Sequence, residues 1–133
     1  QLFEGRYVRY TEAKPMSLDK CRVLLVDTIG VLSSIYRYGQ VAYIGGGFGV
    51  SIHNTLEAAV YGMPVVFGPT WKKFREAYGL LNAGAAITVR NYREFANALD
   101  TAFATQHVMG QAATDYVNSE LGATNKILKH LNL

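Results

Sequence analysis

The chain has 133 residues, half of them hydrophobic, with 13 basic and 10 acidic side chains and a net charge of +3. That length and apolar content suit one domain with a sizeable core and exclude a disordered chain. The weak positive balance excludes a nucleic-acid-binding tail, and the single cysteine, Cys21, excludes an internal disulfide or a Cys-rich zinc site.

Apolar runs alternate with helical patterns along the chain. Residues 6–12, "RYVRYTE", alternate in part like a strand, and "EAKPMSLDK" (12–20) reads as a surface loop. "RVLLVD" (22–27) predicts a buried strand, and "GVLSSIYRYG" (30–39) a helix closed by Gly39. "VAYI" (41–44) predicts a second buried strand. "NTLEAAVYG" (54–62) predicts a helix with Leu56, Ala59 and Val60 on one face, stopped by Gly62 and Pro64. "PVVFG" (64–68) and "AAITV" (85–89) predict further buried strands, separated by a helix over 73–84 that ends at Gly84. A helix over 91–104 should be capped by Asn91, and a last helical stretch runs from Val108 to Leu131, weakened near Gly122. No apolar run reaches the roughly 18 residues of a membrane-spanning helix, and no signal peptide is visible. The chain opens on Gln1 rather than Met, as expected for a piece of a longer protein.

Short strands alternating with longer helices predict an α/β fold. The expected sheet is Rossmann-like and parallel, of about five to six strands, with helices on both faces. In such sheets ligands bind beyond the carboxyl ends of the strands. Here those ends are "DTIG" (27–30), "GGGFGVSIHN" (45–54), "GPTWKK" (68–73) and "RN" (90–91), where the unusual polar and glycine chemistry collects.

The glycine cluster fits none of the standard phosphate patterns. Counting from Gly45, the third glycine position of G-x-G-x-x-G is Val50, and from Gly47 it is Ile52. No G-K-[ST] follows, and the elbow-like Gly49-Val50-Ser51-Ile52 ends in His53 with no acid–His set to complete it. Three scattered histidines and one cysteine have no zinc-ligand spacing. What remains is a glycine turn running into a helix start, where free N–H groups suit a phosphate or carboxylate. The other reading is a tight strand-to-helix connection without a ligand. Asn54 and Glu57 likewise have two readings. Asn-x-x-Glu is a capping box, with Glu57 reaching back to the Asn54 N–H. A carboxylate at Glu57 could instead accept from both hydroxyls of a ribose. The short basic cluster Lys72, Lys73 and Arg75 is either a solvated face or a contact for anionic headgroups and phosphates.

These residues resemble a known family. D-T-x-G at Asp27 to Gly30, the paired glycines after a strand, H-N-x-L-E at His53 to Glu57, and G-P at Gly68 and Pro69 with Phe74 beyond resemble the C-terminal half of 3-deoxy-D-manno-octulosonic acid (Kdo) transferases. These are two-domain glycosyltransferases of the GT-B fold. The resemblance extends over nearly the whole chain from about Tyr7. It implies that residues 1–133 are the nucleotide-sugar (donor) binding domain of a longer protein whose N-terminal acceptor domain lies elsewhere. The implied reaction moves Kdo from CMP-Kdo to a lipid A precursor in lipopolysaccharide biosynthesis, at the cytoplasmic face of a Gram-negative inner membrane.

The resemblance also implies site residues. The turn Gly45, Gly46, Gly47 and Phe48, with His53 and Asn54, would face the donor phosphate. Glu57 would meet the ribose, Gly30 the base, and Arg9 resembles an arginine near the nucleotide. Lys72, Lys73 and Arg75 become candidates for contact with acceptor phosphates or the bilayer. No catalytic base is expected in this part, because the family's carboxylate base lies in the N-terminal domain, and neither a metal nor another cofactor is expected. Two positions depart from the family pattern: Val31 stands where many members have Glu, and Gly47 where many have Ser or Thr. The alternatives are a GT-B transferase that uses a UDP-sugar, or a non-catalytic Rossmann-like binding module.

Overall fold

The computed structural model describes residues 7–14 and 21–131 and divides the chain into two units, residues 1–35 and 36–133. In the first unit, strands β1 (Tyr7–Arg9) and β2 (Val23–Leu25) pair in parallel, Tyr7 opposite Val23. A 3-10 turn, Tyr10–Glu12, follows β1, and a short helix α1 (Leu32–Ile35) closes the unit. The expected loop over 12–20 falls largely outside the described residues. No described residue of this unit is buried, so β2 is not the buried strand its Val/Leu content predicts: Leu24 and Leu25 are exposed.

The second unit holds a three-stranded parallel sheet in the order β3-β4-β5, formed by Ala42–Ile44, Val65–Phe67 and Ala86–Thr88. Val65 stands opposite both Ala42 and Ala86. The helices are α2 (Leu56–Ala59), α3 (Arg75–Asn82), α4 (Tyr92–Ala104), α5 (Gln106–Glu120) and α6 (Ala123–His130). The central strand β4 is buried along its whole length, as an uninterrupted Val-Val-Phe run requires. Alternate side chains go to opposite faces. Val65 and Phe67 join Ala42 and Ile44 in one cluster with Ala58 and Ala59 of α2, Ala77 and Leu80 of α3, and Ala113 of α5. Val66 goes the other way, to Val89, Ala98 and Ala102 of α4 and Met109 of α5. Alanines on the helices let them lie close to the sheet. The bulk comes from Phe67 and Leu80, each worth roughly 1.5–3 kcal/mol when fully buried.

The α/β class and parallel pairing are as expected, but among the described residues five strands lie in two sheets rather than one. Several elements are also shorter than their patterns suggest. The helix expected over 30–39 is α1 followed by a 3-10 turn at Tyr36–Tyr38, and the one expected over 54–62 is the single turn α2. Serines and Asn54 offer side-chain alternatives to backbone helix bonding in these places. The stretch from Val108 is two helices, α5 and α6, separated where Gly122 takes φ +90°.

Candidate functional site

The loop between β3 and α2 carries most of the expected site. Gly46 takes φ +84°, which a side chain would resist, and the Gly49 N–H donates to its carbonyl at 2.8 Å. The His53 N–H returns to the Gly45 carbonyl at 3.1 Å and closes the loop at its base. The loop is also tied to the one that follows β4: the Thr70 N–H donates to the Gly47 carbonyl at 2.9 Å, and the Ile52 N–H to the Thr70 carbonyl at 3.2 Å. Gly47 and Gly68 meet backbone to backbone at this junction. Gly47 is thus where family members with Ser or Thr would place a side chain, but here a β-carbon would lie 2.6 Å from the Gly68 nitrogen. Among the described residues, the N–H groups of Gly46, Gly47 and Phe48 donate to no backbone carbonyl. Gly46 and Phe48 are exposed and Gly47 between them is buried; unpaired donors at such a turn suit an anion.

At the loop's exit, Asn54 and Glu57 form the expected capping box only in part. The helix cap is Thr55, not Asn54. The Asn54 side chain accepts from the Leu56 N–H at 3.0 Å, and its Nδ2 donates to Glu57 Oε1 at 3.1 Å. Glu57 therefore bonds the Asn54 amide and not its backbone N–H.

The second Asn-x-x-Glu in the chain makes a useful control. Asn91 is the expected cap of α4, accepting from the Glu94 N–H at 3.0 Å. Glu94 is fully engaged there, by the Arg90 N–H at 2.9 Å, the Arg90 guanidinium and Asn91 Nδ2. Those partners, the Arg90 N–H foremost, hold its carboxyl below the usual range. Glu57 has one such bond, and its second oxygen is free among the described residues. Burial raises the Tyr36 phenol above its usual value, and the Glu57 carboxylate adds to the rise.

Thr55 was not singled out by sequence. It is 1% exposed, and its hydroxyl has no hydrogen-bond partner among the described residues. Nothing in the sequence could have flagged it, since a lone threonine beside a helix start reads as a cap.

The remaining expected residues are distributed as follows. Phe48 is half exposed and lines a cavity of about 250 Å³ with Tyr43, Asn91, Tyr92 and Phe95, in which Tyr43 and Phe95 meet edge to face. His53 is exposed, and its ring lies over Gly45 and Gly46. Arg9 and Gly30 belong to the first unit. Arg9 pairs with Asp27 at 3.6 Å, and Thr11 donates to the same carboxylate from its hydroxyl at 2.8 Å and its N–H at 3.2 Å. The Thr11 hydroxyl is the main reason the Asp27 carboxyl lies below its usual value. Gly30 has φ +90° and open space around it. The basic cluster is divided: Arg75 pairs with Glu120 at 3.2 Å, whereas Lys72 and Lys73 have no ion pair among the described residues. No group of three or more His, Cys, Asp or Glu side chains among the described residues is placed to hold a metal ion.

Comparison with known proteins places this arrangement. No family model matches the chain. The 3-deoxy-D-manno-octulosonic acid transferase of Bordetella pertussis is 34% identical over 117 residues, which cover 82% of this chain and 27% of that protein. The transferase of the same name from Aquifex aeolicus is 37% identical over 79 residues, 58% of this chain and 22% of that protein. The chain is a Kdo transferase homologue. It spans about a quarter of the length of these relatives. A bifunctional glycosyltransferase/methyltransferase of Fusobacterium nucleatum is 32% identical over 98 residues. The fold matches the crystal structure of the C-terminal CMP-Kdo binding domain of WaaA from Acinetobacter baumannii with a TM-score of 0.69 at 20% identity, over 90% of this chain and 63% of that one. The fold of this Kdo transferase homologue is thus that of a GT-B C-terminal domain.

Proposed function

We propose that this chain is the donor-binding domain of a glycosyltransferase that moves Kdo from CMP-Kdo to a lipid A precursor in lipopolysaccharide biosynthesis. The observation that carries the reading is the loop between β3 and α2. It presents three unpaired N–H groups at a strand's carboxyl end, and one turn later Glu57 keeps an oxygen free that its counterpart Glu94 does not. In this reading the N–H groups hold the CMP phosphate, with Asn54 beside them, and Glu57 accepts from the ribose hydroxyls. The domain positions the donor and stabilises the departing phosphate, and the base that activates the acceptor comes from an N-terminal domain. Binding needs no metal. The acceptor places the enzyme at the cytoplasmic face of the inner membrane as a peripheral protein. Among the described residues no helix is long and apolar enough to cross a bilayer.

Titration of the chain with CMP, followed by amide NMR shifts, tests this. CMP should shift Gly45 to Glu57, UMP and UDP should bind more weakly, and EDTA should change nothing. Glu57→Ala and Asn54→Ala should each weaken binding by about tenfold, the worth of one charge-assisted hydrogen bond. Tighter binding of UDP than of CMP would favour a UDP-sugar transferase. No shifts with any nucleotide, together with loss of thermal stability in Glu57→Ala, would leave a binding module whose glycine loop only turns the chain.

A further inference from the structure

The glycine loop and the loop after β4 enclose a second feature. Val50 and Ser51 from the first, and Pro69, Thr70, Lys72, Lys73 and Phe74 from the second, line a cavity of about 330 Å³. That is at the small end of ligand pockets, roughly 300–1,000 Å³, and close to what one sugar ring needs. Its polar groups are uncommitted. Among the described residues the Ser51 and Thr70 hydroxyls carry no hydrogen bond, and neither lysine has an acidic partner. Both lysines are exposed and carry uncompensated charge among the described residues, whereas the nearby Arg75 is already neutralised by Glu120. An anion in the pocket would compensate that charge and accept from both hydroxyls. The pocket shares its walls with the phosphate turn, because the Thr70 N–H and carbonyl are bonded to Gly47 and Ile52.

We propose that the Lys72–Lys73 pocket is the subsite for the carboxylate of the transferred sugar. This rests on the donor reading above. The relatives transfer an octulosonic acid, and the carboxylate of such a 2-keto sugar acid sits on the anomeric carbon, one bond from the phosphate ester. It is ionised at neutral pH. A turn that suits a phosphate and, beside it, a pocket carrying two lysines and two hydroxyls offer separate places for the two anions of one such ligand. Val50, Pro69 and Phe74 supply apolar wall for the ring. A neutral hexose would leave both lysines uncompensated, so the pocket also selects for an acidic sugar. Its concavity favours a small ligand over a bilayer, which would meet the lysines on a flat or convex face.

The test compares CMP with CMP-Kdo on the chain and on the double variant Lys72→Ala/Lys73→Ala, by calorimetry. The chain should bind CMP-Kdo about tenfold or more tighter than CMP. The double variant should lose that gain while its CMP affinity changes by less than about twofold, and Lys72→Arg/Lys73→Arg should keep most of it. Three results overturn the assignment while leaving the donor reading intact. The variant could weaken CMP and CMP-Kdo equally, which puts the lysines at the nucleotide phosphate. It could bind both as the parent does. It could keep the CMP-Kdo gain yet lose salt-sensitive binding to vesicles containing anionic lipid, which gives the lysines to the membrane. No binding of either ligand by the parent chain removes the donor reading and the subsite together.

Discussion

A β-carbon at Gly47 would lie 2.6 Å from the amide nitrogen of Gly68, 2.7 Å from its Cα and 2.9 Å from the Ile52 side chain. Two of those neighbours are backbone and cannot rotate aside. Gly47→Ser, which restores the residue type of many family members, should therefore destabilise the chain by about 1–3 kcal/mol, the usual cost of overpacking. Urea denaturation measures it, and an unchanged midpoint would show that the two loops part freely. Thr55 tests the opposite sign. Its buried hydroxyl is desolvated and unpaired, so Thr55→Val should stabilise the fold by about 1 kcal/mol, part of the cost of an unmade hydrogen bond. A loss of stability would mean that the hydroxyl has a partner in solution. If CMP binding also fell, the partner would belong to the donor site.

Helix α5 shows how far local propensity is overridden by packing. Gly110 lies inside it, where alanine would be favoured by about 1 kcal/mol. A β-carbon there would collide with the backbone carbonyl of Gly62, in the turn that ends α2. Gly110→Ala should therefore lower stability rather than raise it, by about 1–3 kcal/mol, as seen in thermal unfolding. A raised melting temperature would show that α5 shifts off the turn at little cost. The same contrast explains what could be read without coordinates. The helix at 91–104 was legible because its cap, its charged first turn and its apolar spacing agree. The strand positions were legible from their Val/Ile runs, but not their division into two sheets, which depends on partners far apart in the chain. Residues 30–39 and 54–62 show helical spacing, yet the first forms only a short helix and a 3-10 turn, and in the second the Asn54 side chain takes the Leu56 N–H and a single turn forms. At the site, the glycine turn and the Asn54–Glu57 pair were visible as motifs. Ser51, Thr70 and Thr55 were not, because an isolated hydroxyl in a loop has no period. Nor did composition reveal that Arg75 is paired while Lys72 and Lys73 have no acidic partner among the described residues, since that depends on Glu120, 45 residues away.

Across the whole molecule the burial is uneven. Both hydrophobic clusters lie in the unit that begins at Tyr36, built around β4. The described residues of the first unit contribute no buried side chain, and Ile29 is 99% exposed. Among the described residues of that unit, the ties are a three-residue parallel pairing and the Thr11–Asp27–Arg9 cluster, which is itself solvent-exposed and so worth little. Opening free energies within one protein run from near zero up to the global value, and they follow buried apolar contact. Hydrogen exchange should therefore rank the two units. Amides of β1 and β2 should exchange at least about 100-fold faster than those of β4, a gap of roughly 2.7 kcal/mol. Brief proteolysis should cut first within residues 21–35 and leave a core that keeps β3, β4, β5 and the helices packed on them. Equal protection of β2 and β4 would overturn this ranking, because it would require the first unit to open only when the second does.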